Sequence, residues 1–225
     1  MYQAFGHHFD FIAIPIIKKR LRMDTSQVII NEERPQLTKH LATRFKEKIG
    51  QNVNLLGEVV LGNEEADHRY HHYLEALESP DINYISVKIS GIYAQTHALN
   101  YEESFPELVS RMSALYQKAI DFPYTDEDGI KRSKFINLDM EEYKDAHFTL
   151  RLFKAVLNLP QFKNYSAGIV VQAYLPDAYD FQTELLEFAK ARIDGGGAPI
   201  KMRLVKGCNL EMETVISSLK DRKSV

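Results

Sequence analysis

The 225-residue sequence contains a single cysteine, Cys208, which excludes an internal disulfide and fits a reducing compartment. It also lacks an excess of either charge: 28 Lys and Arg against 31 Asp and Glu leave a formal net charge of −3 and a pI near 6.3. A chain so balanced has no general attraction to a phosphate backbone, so nucleic acid is not an expected partner. No apolar run approaches the roughly 18 residues that a membrane-spanning helix needs. The opening MYQAFGHHFDF lacks the basic-then-apolar layout of a signal peptide. These absences give the expectation of a cytoplasmic globular protein. One stretch qualifies it: FIAIPIIKKRLR, Phe11 to Arg22, sets apolar residues before Lys18, Lys19, Arg20 and Arg22, a pattern that could lie on an anionic membrane surface. A buried segment followed by a solvated turn is the plainer expectation.

What is present is a repeating grammar. Residues 1–50 read as a helical lead-in, with Leu37, Leu41, Phe45 and Ile49 at four-residue spacing and Gly50 as a stop. From residue 51 on, apolar strand, polar turn and amphipathic helix follow one another. The strand candidates are Val53–Leu61, Tyr84–Ile92, Phe135–Met140, Ala167–Tyr174 and Ile200–Lys206. Between them, Asn63 can cap a helix with the apolar face Ala66, Tyr70, Tyr73, Leu74 and Leu77. A second stripe is Leu108, Val109, Met112, Leu115, Tyr116 and Ala119. A third, Leu150, Phe153, Val156 and Leu157, stops before Pro160. The fourth, Phe181, Leu185, Phe188 and Ala189, runs to Gly195, Gly196 and Gly197, and FPYTDEDGIKRSK is a surface insertion turning at Asp128-Gly129.

Five strand–helix units imply a parallel sheet with right-handed crossovers, either an open doubly wound sheet or the first part of a (β/α)₈ barrel. No G-x-G-x-x-G marks the first turn, as an open dinucleotide-binding sheet usually requires. Instead Glu58, Lys88, Asp139, Gln172, Arg203 and Lys206 place polar groups at the C-terminal ends of successive strands, the layout of a barrel mouth. The expected fold is therefore α/β of the (β/α)₈ TIM-barrel type with only the first five strand–helix units present. A complete barrel typically needs about 250 residues, so a C-terminally truncated chain is expected.

The polar groups suggest chemistry. Lys88 and Asp139 form an ammonium–carboxylate pair suited to ordering a substrate amine or carboxylate, with Glu58 as a second carboxylate. The Gln172 amide suits the edge of a heterocycle such as the pyrimidine part of a flavin. Arg203 and Lys206 would stabilise an anionic reduced flavin or bind phosphate, and Gly207 lets the backbone approach a ligand. A structural salt-bridge ladder would account for Lys88, Asp139 and Glu58 equally well.

The strings LLGEVVLGNEEA, ISVKISGIYAQ, NLDMEEYKD, GIVVQAYLPDA and RLVKGCNLEME, in this order, resemble the proline dehydrogenase domain of bacterial bifunctional proline-utilisation proteins over roughly residues 52–218. The resemblance implies a (β/α)₈ barrel that binds FAD and oxidises L-proline to 1-pyrroline-5-carboxylate by hydride transfer, passing electrons to a membrane quinone. It implies that Lys88 reaches the proline carboxylate, with Glu58 holding that lysine. Asp139 would support substrate and flavin, Gln172 and Arg203 would contact the isoalloxazine, Arg203 near N5, and Val170, Lys206 and Gly207 would line the cofactor. It further implies a cytoplasmic enzyme with a peripheral seat on the inner membrane as an option, no metal, and a C-terminal aldehyde dehydrogenase module in a full-length parent. Asn209 stands where many relatives have an aromatic, which predicts an altered pocket lining. The later strands' FAD contacts and a C-terminal arginine pair have no counterpart in the sequence. An inactive remnant of such an enzyme is the alternative. His68, His71 and His72 have helical i, i+3, i+4 spacing but read as an exposed helix face, Cys208 as a small buried residue, and Met202 and Met212 as packing.

Overall fold

The computed structural model describes residues 10–25, 34–55, 62–94, 101–207 and 209–220. The chain divides into two compact units, residues 1–49 and 50–225. The described residues of the first form two helices. α1 spans Asp10–Thr25 and α2 spans Arg34–Lys46. The basic cluster of α1 is not a turn. Lys18, Lys19, Arg20 and Leu21 are good helix formers and carry the helix on past Pro15, with Arg20 paired to Asp24 at 3.0 Å. Ile14, Ile16, Ile17, Leu21 and Met23 are exposed rather than buried. α2 stops earlier than Gly50: Lys48 takes a left-handed φ of 60°, and Ile49 donates its N–H back to the Arg44 carbonyl at 3.0 Å.

In the second unit β1 (Val53–Asn54), β2 (Tyr84–Lys88), the hairpin strands β3 (Tyr124–Thr125) and β4 (Lys131–Arg132), β5 (Phe135–Asp139), β6 (Gly168–Gln172) and β7 (Lys201–Val205) alternate with helices. The helices are α3 (Asn63–Glu78), α4 (Tyr101–Asp121), α5 (Ala146–Leu157), α6 (Ala178–Asp194) and α7 (Leu210–Leu219). The main sheet has five strands, all parallel, in the order β1-β2-β5-β6-β7. Among the described residues strand order follows chain order with no reversal, without the switch point of a doubly wound fold. Among the described residues β1 and β7 end the sheet, and no pairing closes it.

Several boundaries differ from expectation for local reasons. β1 is described only at Val53–Asn54, because residues 56–61 of the expected strand, with Glu58, lie outside the described residues. β2 ends at Lys88, where a 3₁₀ turn over Ile89–Gly91 begins. A Cβ on Gly91 would meet the Tyr73 hydroxyl at 2.9 Å, so the turn can sit against α3 only because glycine is there. The cap of α3 is Gly62, and Asn63 is already helical. The polar insertion is a β3–β4 hairpin, turned by Gly129 at φ 78° and pinned by the Asp126 carboxylate, which accepts N–H groups of Asp128 and Ile130.

Period-two alternation divides the sheet into two unlike faces. Ile85, Val87, Ile136, Leu138, Ile169 and Val171 share one face and are fully buried against the helices, with Leu77, Leu108, Met112, Leu115, Phe153, Val156, Phe181 and Leu185. Each such side chain contributes about 1.5–3 kcal/mol. The other face carries Tyr84, Ser86 and Lys88, then Phe135, Asn137 and Asp139, then Gly168, Val170 and Gln172, then Lys201 and Arg203. A Cβ on Gly168 would meet Asn137 Oδ1 at 2.7 Å, which fixes this position as glycine. Met212 is exposed, not packed, and so is Leu204 on the terminal strand.

The N-terminal ends of the strands are held by two cations serving backbone carbonyls, the half-buried Arg192 and the buried Lys134. Arg192 donates through Nε to Ala198 O (2.8 Å), through Nη1 to Leu157 O (2.6 Å), and through Nη2 to Lys163 O (2.8 Å), Tyr165 O (3.0 Å) and Phe162 O. One guanidinium thus joins the end of α5, the turn before β6 and the turn before β7. Gly197 is needed for this, since a Cβ there would meet Arg192 Cγ at 2.9 Å. Lys134, 1% exposed, donates to the Ser79 carbonyl, and burial pushes its ammonium down to about 8, with Asp81 opposing.

Arg192→Met should lower the unfolding free energy by about 3–5 kcal/mol in denaturant titration, because several carbonyls lose a charged donor together. Lys134→Met tests the second cation. The folded protein releases the Lys134 proton at lower pH than the unfolded chain, so wild type should gain stability relative to Lys134→Met as pH rises from about 8 towards the ordinary lysine value. A constant difference across that window would contradict this.

Candidate active site

Lys88, Asp139 and Gln172 are the last residues of β2, β5 and β6, and their register brings Lys88 opposite Asp139. Arg203 lies in the middle of β7, opposite Val170. The polar face gathers on one carboxylate. Asp139 Oδ1 accepts from Arg203 Nη2 at 2.7 Å, from Asn137 Nδ2 at 2.7 Å and from Ser86 Oγ at 3.2 Å. Asn52 Nδ2 in turn donates to Ser86 Oγ at 2.9 Å. All three donors meet Oδ1, and among the described residues none reaches Oδ2.

Asp139 is 9% exposed, and burial raises its pKa above the ordinary carboxylate value. Arg203, the Ser86 and Asn137 hydrogen bonds and the Lys88 charge oppose that rise without cancelling it. Arg203 is more open, its side chain 38% exposed, but its Nε is buried without a partner among the described residues.

Lys88 pairs with Glu141 at 3.4 Å across the loop that follows β5. The same loop receives Gln172, whose Nε2 donates to the carbonyls of Glu141 (2.8 Å) and Met140 (3.4 Å), leaving Oε1 buried and without a partner among the described residues. Glu213 of α7, fully buried, accepts the Tyr143 N–H at 2.9 Å and ties the loop to α7. Tyr174 OH accepts the Asn209 N–H at 3.0 Å. Val170 is buried beside Arg203 on the neighbouring strand, Lys206 is exposed just beyond β7, and Gly207 has φ 74°, a conformation that favours glycine.

Of the expected site residues, the structure therefore brings Lys88, Asp139, Gln172, Val170 and Arg203 onto one face, the first three at the strand ends and the last two in mid-strand, with Lys206 and Gly207 following β7. Glu58 and Cys208 lie outside the described residues. Sequence reasoning missed Ser86, Asn137, Asn52 and Glu141. The first two could have been found by stepping two residues back from Lys88 and Asp139 along each strand. The histidines are on the surface of α3, with His68 and His72 rings 4.3 Å apart and His71 Nδ1 2.7 Å from the Asp67 carbonyl.

A family model for proline dehydrogenase matches residues 37–225. The chain belongs to the proline dehydrogenase family. Solved structures agree. The chain is 42% identical to proline utilization A from Corynebacterium freiburgense, with a TM-score of 0.79 over 89% of this chain and 20% of that one. It is 29% identical to proline utilization A from Bdellovibrio bacteriovorus, solved after inactivation by N-propargylglycine, with a TM-score of 0.78 over 92% of this chain and 22% of that one. With proline utilization A from Bradyrhizobium japonicum, at 23% identity and a TM-score of 0.63, it shares the fold over 75% of its length and 17% of that chain. It thus spans about a fifth of the length of these relatives. No curated protein sequence matches.

Asp139→Asn keeps an acceptor for Ser86, Asn137 and Arg203 while removing the buried charge. Because the folded pKa of Asp139 is raised, the charge opposes folding at neutral pH, and the opposition fades as pH falls towards the carboxylate range. Asp139→Asn should therefore be more stable than wild type by about 0.5–2 kcal/mol at pH 7, the difference narrowing in acid, as read by denaturant titration at several pH values. A variant less stable at pH 7 would contradict the assignment.

Proposed function

We propose that the polar face of the β2-β5-β6-β7 sheet is the flavin and substrate site of a proline dehydrogenase, and that the chain contributes the first five units of a (β/α)₈ barrel. The reaction is oxidation of L-proline to 1-pyrroline-5-carboxylate with electrons passed on to a quinone, in a cytoplasmic protein that reaches that acceptor at the membrane surface. No helix among the described residues is long and apolar enough to cross a membrane. An aldehyde dehydrogenase module acting on the product belongs to the same proposal.

The observation that carries the reading is the Arg203–Asp139 pair at 2.7 Å on a polar face where Arg203 Nε and Gln172 Oε1 are buried with no partner among the described residues. Unmatched buried polar atoms are costly and call for a polar ligand edge, and an isoalloxazine offers acceptors and a donor along one rim. FAD fits this donor set. Gln172, Arg203, Val170, Lys206 and Gly207 would hold it, and when bound it supplies the two-electron acceptor. The remaining tasks fall to side chains. Lys88, balanced by Glu141 and, by family resemblance, Glu58, meets the proline carboxylate with its ammonium. Asp139 Oδ2 is an acceptor for the proline nitrogen, and Arg203 keeps that carboxylate in place. Placement and fixed charge are the protein's contribution.

Lys88→Ala should raise the KM for proline by about 10–100-fold while leaving flavin content intact, since one charged contact to substrate is lost. Arg203→Ala should instead reduce flavin retention and the rate of flavin reduction at saturating proline. Steady-state kinetics and flavin-to-protein absorbance ratios separate the two, and equal, negligible effects would overturn the assignment.

A further inference from the structure

We propose that Asn52 and Ser86 form a two-step hydrogen-bond relay that fixes the Asp139 carboxylate, making both positioning residues of the site; the functional part of this rests on the reading above. The direction of the Ser86 hydroxyl is set by its neighbours. A serine has one proton to donate. Asn52 Nδ2 donates to Ser86 Oγ at 2.9 Å, so that oxygen is an acceptor on the β1 side, and its own proton is directed to Asp139 Oδ1 at 3.2 Å. Ser86 is fully buried on β2 and cannot turn to water. Asn52 Oδ1 is itself buried with no partner among the described residues, so the Asn52 amide is held here at the expense of its own acceptor. The effect of this arrangement falls on Asp139: with Ser86, Asn137 and Arg203 all on Oδ1, the carboxylate plane is set and Oδ2 remains for a further donor.

Other groups face Asp139 as well. Arg203 of β7 and Lys88 of β2 favour its ionised form, and Glu141 lies beyond Lys88. The phenols of Tyr84 on β2 and Tyr73 on α3 sense its charge. The relay differs from these in being neutral, so its removal changes hydrogen bonding and leaves the count of charges alone.

The test is a carbon-13 NMR titration of the aspartate carboxyls in the protein without added cofactor, with Asp139 assigned through Asp139→Asn. Ser86→Ala should raise the Asp139 midpoint by about one pH unit, because a hydrogen bond to the ionised form is lost. Ser86→Thr, which keeps the hydroxyl and suits a strand, should return it to the wild-type value. Asn52→Ala should raise it by less, since Ser86 then donates without a fixed direction. An Asp139 midpoint unmoved by Ser86→Ala would overturn the relay, whatever the variant did to thermal stability. In flavin-loaded protein the acidic limb of the proline-reduction pH profile should move with the NMR midpoint. Absence of proline oxidation in wild type with a shifted midpoint would refute the functional reading and leave the relay; oxidation with an unmoved midpoint would do the reverse.

Discussion

The Asp139 carboxylate is the constraint on which the rest of the site depends. A carboxylate this buried stays in the fold only if donors compensate for its lost hydration. Here they come from three strands and, through Ser86, from the residue just before β1. That convergence demands correct register. A one-residue slip of β2, β5 or β7 would turn Ser86, Asn137 or Arg203 to the apolar side and drive Ile85, Leu138 or Leu204 towards the charge. The apolar face and the polar face therefore specify the same pairing from opposite sides.

The two ends of the sheet divide the labour. At the N-terminal ends, Arg192 and Lys134 spend their donors on backbone carbonyls of the turns that enter β2, β6 and β7, which is structural work. Towards the C-terminal ends the charged groups meet one another, Arg203 with Asp139 and Lys88 with Glu141, in place of backbone carbonyls. The loop after β5 connects the groups of the candidate site: its Glu141 faces Lys88, its carbonyls receive Gln172, and Glu213 ties it to α7. Membership of the proline dehydrogenase family is the ground on which that end is proposed as the site of proline chemistry.

Much of this was legible in the sequence because two periodicities and a few turn residues carry it. The helix stripes of α4 and α5 and the strand cores of β2, β5, β6 and β7 appear where apolar spacing places them, with ends trimmed by a residue or a few. Lys88, Asp139 and Gln172 were visible as polar residues closing apolar strands. Two things were not. Partners separated by 34 to 64 residues, such as Asn52 with Ser86 or Arg203 with Asp139, depend on register between strands, which no local pattern encodes. The pairing of Lys88 with Glu141 depends on how a loop folds back over the strand ends, and the helical path of the basic cluster in α1 reflects propensity overriding a pattern that resembled a turn.

The most direct measurement is anaerobic absorbance of the protein loaded with FAD before and after addition of L-proline. The account predicts that the oxidised flavin band disappears, that D-proline is far less effective, and that pyrroline-5-carboxylate appears in proportion to flavin reduced. Protein that retains FAD yet keeps the oxidised band unchanged in excess L-proline would contradict it.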